Sequence, residues 1–333
     1  MSMTSVGVIG AGGWGTALAL LMGRGGQDVK LWGHDKGHLE EMRATRRNDK
    51  YLPGVELPVT IVPTENLAEA VSAEILFVAV PSQYLSGVCN RIRAVASDRL
   101  PLLVSCTKGV EHSRGLLMSE VISECLPSAR IAVLSGPNLA AEIAIGMPGA
   151  GVIGCEEHRA SEEVQTLFAG TTFRAYTSLD VRGIQLGGAL KNIFAIAAGV
   201  SDGLGLGENA RAALVTRALV EMTRLGMAMG GRRETFGGLS GIGDLMVTCF
   251  SHRSRNHRVG FQLGQGESLA SILDSMGSMV AEGIPTAASA QQAAKRLSVE
   301  TPIIDEVAAL LAGRKTPAEA MKSLMGRDLR AEE

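Results

Sequence analysis

The chain has 333 residues, 46% of them hydrophobic, and a formal net charge of -2, with a mean hydropathy of +0.17. So apolar a chain is not a disordered one, and so nearly neutral a chain is not a polycation built to wrap nucleic acid. The length allows one to three domains around a large core, and 41 glycines, above the ordinary usage of about 7%, predict tight turns and close helix packing.

Val6 to Ile9 is an apolar strand that runs directly into Gly10-Ala11-Gly12-Gly13-Trp14-Gly15, followed by Thr16 to Met22, which reads as a buried helix. In such a turn Gly10 permits the sharp exit from the strand, Gly12 leaves room for a pyrophosphate and Gly15 lets helix and strand pack closely. The helix N-terminus then faces the phosphates. The glycine pattern alone is weak; the strand, turn and helix around it make it a dinucleotide site rather than a bare turn. Further strands are predicted at Val29–Trp32, Val59–Val62, Ile75–Val80, Leu102–Cys106, Ile131–Leu134, Gly151–Gly154 and Phe173–Tyr176. Helices are predicted at 14–25, 36–46, 65–71, 84–96 and 115–125. This alternation predicts a parallel sheet with right-handed crossovers. Arg43, Arg46, Arg47 and Lys50 read as a solvated face.

From about Leu179 strand-like runs nearly vanish, and helices are predicted at 181–200, 208–229, 257–264, 268–276, 286–297, 303–312 and 317–325. The expected architecture is an α/β N-terminal Rossmann domain over 1–180, with a doubly wound, mostly parallel sheet, and an all-α C-terminal domain over 181–333 that carries substrate and catalysis. The longest apolar stretch, Ile193 to Val200, falls short of the roughly 20 residues of a membrane span, and no basic segment precedes the first apolar run. Neither a membrane segment nor a secretory signal is expected. Five widely spaced cysteines (Cys89, Cys106, Cys125, Cys155, Cys249) without a C-x-x-C pair suit reduced thiols of a cytoplasmic protein. Cys106 reads as a core thiol.

Ligands of open α/β sheets sit beyond the carboxyl ends of the strands, which selects Pro81-Ser82, Thr107-Lys108-Gly109 and Ser135-Gly136-Pro137-Asn138. Lys108 could reach a polar substrate or cofactor, or be an ordinary surface lysine. Lys191 lies in a helical segment, Gln185 to Ala198, otherwise apolar or small. A lysine there is costly to desolvate unless paired, and burial suits it to proton transfer near neutrality; alternatively its stem packs while the ammonium reaches water. Asp244, in Gly241-Ile242-Gly243-Asp244-Leu245, could bind a substrate hydroxyl, hold a lysine or cap a helix. Ser251 to Arg258 concentrates cations and hydroxyl or amide donors before a helix, which suits a small anion such as a phosphate, or forms a solvated basic loop. After the second strand His34 and Asp35 argue in opposite directions, since a cation there accommodates a 2′-phosphate and a carboxylate favours NAD. The histidines have no metal-ligand spacing, and no metal is expected.

Gly10 to Ala19, Thr107-Lys108-Gly109, Ser135-Gly136-Pro137, Gln185 to Asn192, Gly241 to Leu245, Ser254-Arg255-Asn256 and Glu282-Gly283, in this order, resemble the bacterial NAD(P)-dependent glycerol-3-phosphate dehydrogenases over nearly the whole chain. The resemblance implies reversible reduction of dihydroxyacetone phosphate to sn-glycerol 3-phosphate for phospholipid synthesis, in a 6-phosphogluconate-dehydrogenase-like two-domain fold and as a homodimer. It implies Lys191 as the acid/base, with Lys108, Gly136, Asn138, Asp244, Ser254, Arg255 and Asn256 on substrate. Gly10, Gly12, Gly13, Trp14, Gly15, His34, Ala140, Val280 and Glu282, with Lys108 and Arg255, would lie along NAD(H) or NADP(H), the latter slightly favoured. Gly13 and Asn138 stand where that family has serine or threonine, which removes a hydroxyl contact at the first and exchanges a hydroxyl for an amide at the second. Two other readings are a 3-hydroxyacid or 6-phosphogluconate-type dehydrogenase, and a dinucleotide sensor without catalysis; the sensor has no use for Lys191 and Asp244 together with the Ser-Arg-Asn cluster.

Overall fold

The structure is a computed structural model that describes residues 4–97, 99–111, 114–277, 280–329 and 331. The chain forms two compact units, one taking in the chain to Glu111 with Leu116–Gln185, the other the helical remainder from Leu186. The first unit runs β1 (Val6–Ile9), α1 (Gly13–Arg24), β2 (Val29–Trp32), α2 (Lys36–Thr45), β3 (Arg47–Asn48), β4 (Leu52–Glu56), β5 (Ile61–Thr64), α3 (Leu67–Val71), β6 (Ile75–Val78), α4 (Leu85–Val95) and β7 (Leu102–Ser105). It continues through α5 (Met118–Cys125), β8 (Ile131–Ser135), α6 (Ala140–Ala144), β9 (Gly149–Gly154), α7 (His158–Thr166) and β10 (Phe173–Ser178).

Eight strands form one sheet in the order β10-β9-β8-β7-β6-β1-β2-β5. All neighbours are parallel except β8 and β9. Every residue of β1, β6 and β7 is buried, as continuous apolar runs require when helices cover both faces of a sheet. From β1 the chain passes to β2 on one side and later returns through β6 on the other. This reversal of strand order opens a crevice at the carboxyl end of β1.

Two readings of this region change. The strand expected at Val59–Val62 is β5, two residues later, because the Ile61 amide closes a turn onto the Pro58 carbonyl at 2.9 Å and leaves Val59 in solvent. The basic run is not merely a solvated face. Arg46, in the left-handed region at φ 55°, turns its guanidinium back onto the carbonyls of Leu57 (2.9 Å), Ile61 (3.1 Å) and Pro58, and Arg43 reaches the Pro63 carbonyl at 3.2 Å. The β3–β4 hairpin, α6 and α7 are further additions to the elements read from sequence; the first two are too short to carry a periodic signal.

The second unit is built from α8 (Val181–Gly203), whose first residues lie in the first unit, then α9 (Gly207–Ala228), α10 (Arg233–Phe236), a π-helical turn over Leu239–Gly243, α11 (Asp244–Phe250), α12 (Arg255–Gly264), α13 (Leu269–Met276), α14 (Gly283–Arg296), α15 (Pro302–Leu311) and α16 (Pro317–Met325). The helix expected at 181–200 is α8, which ends three residues later at Gly203. It is long and apolar enough to cross a membrane by length and composition, but its apolar stretch is 94% buried within the protein. A helix hydrophobic on all sides belongs in a core.

Candidate active site

Gly10 leaves β1 at φ +113°, and a Cβ there would meet the Ala79 carbonyl oxygen at 2.5 Å. At Gly15 a Cβ would sit 1.9 Å from the Gly10 carbonyl oxygen, so α1 can lie against the strand only without one. Gly12, the N-cap of α1, is different: a Cβ on it would meet nothing within 4 Å. That open space lies at the first turn of α1, whose amides have no partner within the helix, an arrangement that accepts a phosphate. The turn is latched from below by Asn48, a buried residue of the hairpin. Its Nδ2 donates to the Ala11 carbonyl at 3.0 Å and to Thr16 Oγ1 at 2.7 Å. Sequence reasoning missed Asn48, and a lone asparagine in a charged run carries no signal that could have found it.

Around the same strand ends, Lys108 follows β7 and donates from Nζ to the Gly136 carbonyl at 3.0 Å and to Asn138 Oδ1 at 2.7 Å. The Asn138 amide thus turns its oxygen to the lysine, and its buried Nδ2 has no partner among the described residues. The donor that a hydroxyl would otherwise supply is kept. Ala140 opens α6, which packs on α1; its Cβ lies 3.8 Å from where a Gly13 Cβ would stand, an ordinary contact, so Gly13 is not required sterically. Trp14 is partly buried against the core, and His34 is exposed just past β2. Asp35 is engaged elsewhere: it caps α2 by accepting from the His38 amide at 3.1 Å, which holds its carboxyl low, and it pairs with Lys50 at 3.6 Å. Cys106 is buried, and burial pushes its thiol far up, so it stays protonated.

The helical unit gathers Lys191, Asp244, Ser254, Arg255, Asn256, Val280 and Glu282. Lys191, 6% exposed, is ion-paired to Asp244 Oδ1, itself 0% exposed, and donates to Thr248 Oγ1 at 2.8 Å. Asp244 is the first residue of α11, after the Gly243 N-cap, and of its three sequence readings the geometry displays the holding of a lysine. Burial pushes the neighbouring Cys249 thiol up to about 12, so it stays neutral beside the pair. Asn192, the next residue of α8, accepts on Oδ1 from Asn256 Nδ2 at 2.9 Å, and Asn256 Oδ1 accepts from the Gly283 amide at 2.9 Å. Ser254 is the N-cap of α12, accepting from the His257 amide at 3.2 Å.

Arg255 presents much of its surface to solvent, yet protein crowds its guanidinium enough that desolvation lowers its pKa, partly offset by the carboxylate of Glu282. It remains a cation; its exposed surface keeps it available to an anion. Glu282 stands at the N-cap of α14 and Val280 just before it. Thr248 and Asn192 were also missed. Thr248 was findable, since i+4 from Asp244 on a helix is the same face, and Asn192 adjoins the lysine.

Taken together, the α/β unit can hold a dinucleotide phosphate on backbone amides, and the helical unit holds a buried lysine in place beside amide and guanidinium donors. The model for the NAD-dependent glycerol-3-phosphate dehydrogenase N-terminus matches residues 5–161, and that for the C-terminus residues 180–322. The glycerol-3-phosphate dehydrogenase [NAD(P)+] of Geobacter sulfurreducens is 48% identical, with 98% of each chain covered; that of Fusobacterium nucleatum is 43% identical over 99% of each. The crystal structure of glycerol-3-phosphate dehydrogenase from Coxiella burnetii superposes with a TM-score of 0.92 at 36% identity, covering 98% of this chain and 99% of that one. On this evidence the chain belongs to the NAD-dependent glycerol-3-phosphate dehydrogenase family.

Proposed function

We propose that the protein reduces dihydroxyacetone phosphate reversibly to sn-glycerol 3-phosphate with NADPH or NADH, in supply of glycerophospholipid synthesis. The observation that carries this reading is the buried Lys191–Asp244–Thr248 group beside Asn192 and Asn256. The nicotinamide, when bound, supplies the hydride. Lys191 Nζ gives a proton to the carbonyl oxygen as negative charge develops there and recovers it from solvent afterwards. Asp244 and Thr248 hold the ammonium in place, and its charge stabilises the developing alkoxide. Ser254, Arg255 and Asn256 take the substrate phosphate, Arg255 by its planar fork, with Lys108, Gly136 and Asn138 as further polar contacts.

Gly10, Gly12, Gly13, Trp14 and Gly15 would cradle the pyrophosphate, with His34, Ala140, Val280, Glu282, Lys108 and Arg255 along the rest of the cofactor. The open space at Gly12 supports that fit. NADP(H) is slightly favoured, because Asp35 is committed to capping α2 while His34 is exposed. In this reading residues 1–180 form the domain that binds the pyrophosphate and 181–333 the domain that carries Lys191 and the phosphate-binding Ser254, Arg255 and Asn256. The protein is a cytoplasmic homodimer acting on a small molecule, with neither nucleic acid nor membrane as partner. Five cysteines without a disulfide suit that compartment.

The test is incubation with NADPH and dihydroxyacetone phosphate while following reduced-nicotinamide absorbance. Oxidation of the cofactor with this ketone supports the reading. Binding of NADPH without turnover would make the protein a sensor, and turnover only with a 3-hydroxyacid or with 6-phosphogluconate would move it to the other dehydrogenase class.

A further inference from the structure

Gly199 and Gly203 on α8 meet Gly260 and Gly264 on α12. A Cβ on Gly199 would lie 2.0 Å from the His257 carbonyl oxygen, one on Gly260 2.0 Å from that of Ile196, and one on Gly203 2.9 Å from the Gly264 Cα. The two backbones touch along this seam with no side chain between them. Glycine at these positions lets the two helices approach this closely, and side-chain hydrogen bonds from the two ends of this stretch of α8 add to the packing. At the end beside Lys191 the bond is Asn256 on Asn192 at 2.9 Å.

The bond at the other end lies outside every group given a role so far. His257 is 1% exposed, and its Nε2 bonds Asp202 Oδ2 at 2.8 Å. The same carboxylate oxygen accepts from Arg211 Nη1 of α9 at 2.9 Å. The His252 ring packs edge-on against His257, centroids 5.4 Å apart, and the Arg211 guanidinium stacks 4.9 Å over the Phe250 ring. A cavity of about 310 Å³, lined by Asp202, Glu208, Arg211, His252 and Phe261 among others, opens beside the group and gives it room to relax if the bond is cut.

We propose that Asp202 and His257 are positioning residues: their bond sets the rotation and height of α12 on α8, and with it the distance from the Lys191 ammonium to Ser254, Arg255 and Asn256. The inference rests on the substrate reading above, in which those three residues take the phosphate. His257 is two residues beyond Arg255 on α12, and its own amide is the one that the Ser254 side chain caps. A shift of the ring is therefore a shift of the phosphate contacts. A misplacement of about 1 Å can cost about 100-fold in rate.

The experiment compares His257→Leu, which fills the site without a donor, His257→Gln, whose amide restores one, and Asp202→Asn, which keeps an acceptor for the ring but drops the pairing with Arg211. In His257→Leu, KM for dihydroxyacetone phosphate should rise about tenfold or more while KM for NADPH rises several-fold less, because Arg255 is one cofactor contact among many, and backbone amide exchange over residues 255–258 should quicken. His257→Gln should recover most of both, and Asp202→Asn should fall between. Folded His257→Leu with wild-type KM values, or with both KM values raised in proportion, overturns the positioning role. If the wild-type protein does not turn over dihydroxyacetone phosphate, the substrate reading fails and the exchange arm decides alone: unchanged amide protection in His257→Leu then overturns the clamp as well.

Discussion

The two units handle charge in opposite ways. The α/β unit offers an anion the backbone amides of a helix start, shaped by glycines and latched by Asn48, and its polar rim groups, such as His34 and Asp35, are in water. The helical unit buries a charge pair at its site, Lys191 matched to Asp244, and leaves Arg255 exposed. Substitution by anything but proline leaves a backbone donor in place, and exposed charges are screened. A buried pair loses everything when one member goes, because the survivor is left uncompensated. Mutations of equal chemical size should therefore cost far more in the helical unit.

The largest effect is expected at Lys191. Lys191→Ala should lower kcat by about 10²–10⁴, the usual size of a lost general acid, while NADPH still binds as judged by its fluorescence. Near-full turnover would break the assignment. Asp244→Ala leaves the ammonium buried and unpaired and should destabilise the protein by about 3–5 kcal/mol in urea unfolding. The double variant Lys191→Met/Asp244→Leu should recover much of that stability while remaining inactive. If Asp244→Ala is as stable as wild type, the pair is not buried in solution.

How far these features were legible in the sequence follows the same division. The glycine turn is local: strand, turn and helix are adjacent in the chain, so residues 6–22 declare the crevice without tertiary information. Lys191 is legible because a cation among apolar and small residues conflicts with its surroundings. Its partners Asp244 and Thr248 stand 53 and 57 residues away, and only packing brings them together; the sequence could offer Asp244 three roles and not choose among them. Asn48 and the Arg46 guanidinium act on backbone carbonyls, which every residue has, so no pattern marks them. The glycines at 199, 203, 260 and 264 register as composition, and only the helix-on-helix contact shows why a side chain cannot stand there.

A third prediction uses pH to test how the helical unit tolerates buried charge. Glu221, 3% exposed, accepts the amides of Ile303 at 2.9 Å and Ile304 at 2.8 Å at the start of α15. Desolvation nevertheless pushes its carboxyl up to about 7, with Asp305 adding to the rise and the two amides and Arg224 opposing it. The folded protein therefore holds this proton more tightly than the unfolded chain, whose ordinary value is 4.5. The Glu221 contribution is fully present below about pH 4.5 and is lost as pH rises to about 7, by roughly 3 kcal/mol. Urea midpoints of wild type and Glu221→Gln, taken at pH 5 and pH 8, should shift in favour of the glutamine variant at the higher pH. A difference independent of pH would show that the carboxylate is as comfortable inside as in water.

Arg255 should give a smaller effect, since it lies at the exposed edge of the helical site. Arg255→Ala should raise KM for dihydroxyacetone phosphate roughly 10–100-fold, the size of a lost hydrogen bond to a charged group. Arg255→Lys should restore only part, because an ammonium cannot present a planar fork. An unchanged KM would move the phosphate elsewhere.

The smallest effect belongs to the open rim of the α/β unit, and it tests the comparison from the other side. The ribose edge of a dinucleotide is read by the first residues past the second strand, here His34, Asp35 and Lys36. A free carboxylate would favour NADH by accepting from the ribose hydroxyls and by repelling a 2′-phosphate. Asp35 does not have that freedom: its Oδ1 accepts the His38 amide at 3.1 Å to start α2, and its other oxygen faces Lys50 at 3.6 Å. Turning it toward a ribose would uncap the helix, which typically costs about 1 kcal/mol. His34 is exposed and uncommitted to any such cap. NADPH should accordingly be preferred in kcat/KM, but only a few-fold, because an exposed charge pair contributes little in water. His34→Asp sets a like charge against the 2′-phosphate and should narrow or reverse the preference. Asp35→Asn should barely move it, since asparagine caps a helix as well as aspartate. A clear NADH preference in the wild-type protein, abolished by Asp35→Asn, would mean that the carboxylate leaves α2 to meet the ribose, and that the rim of this unit is less fixed than its hydrogen bonds imply.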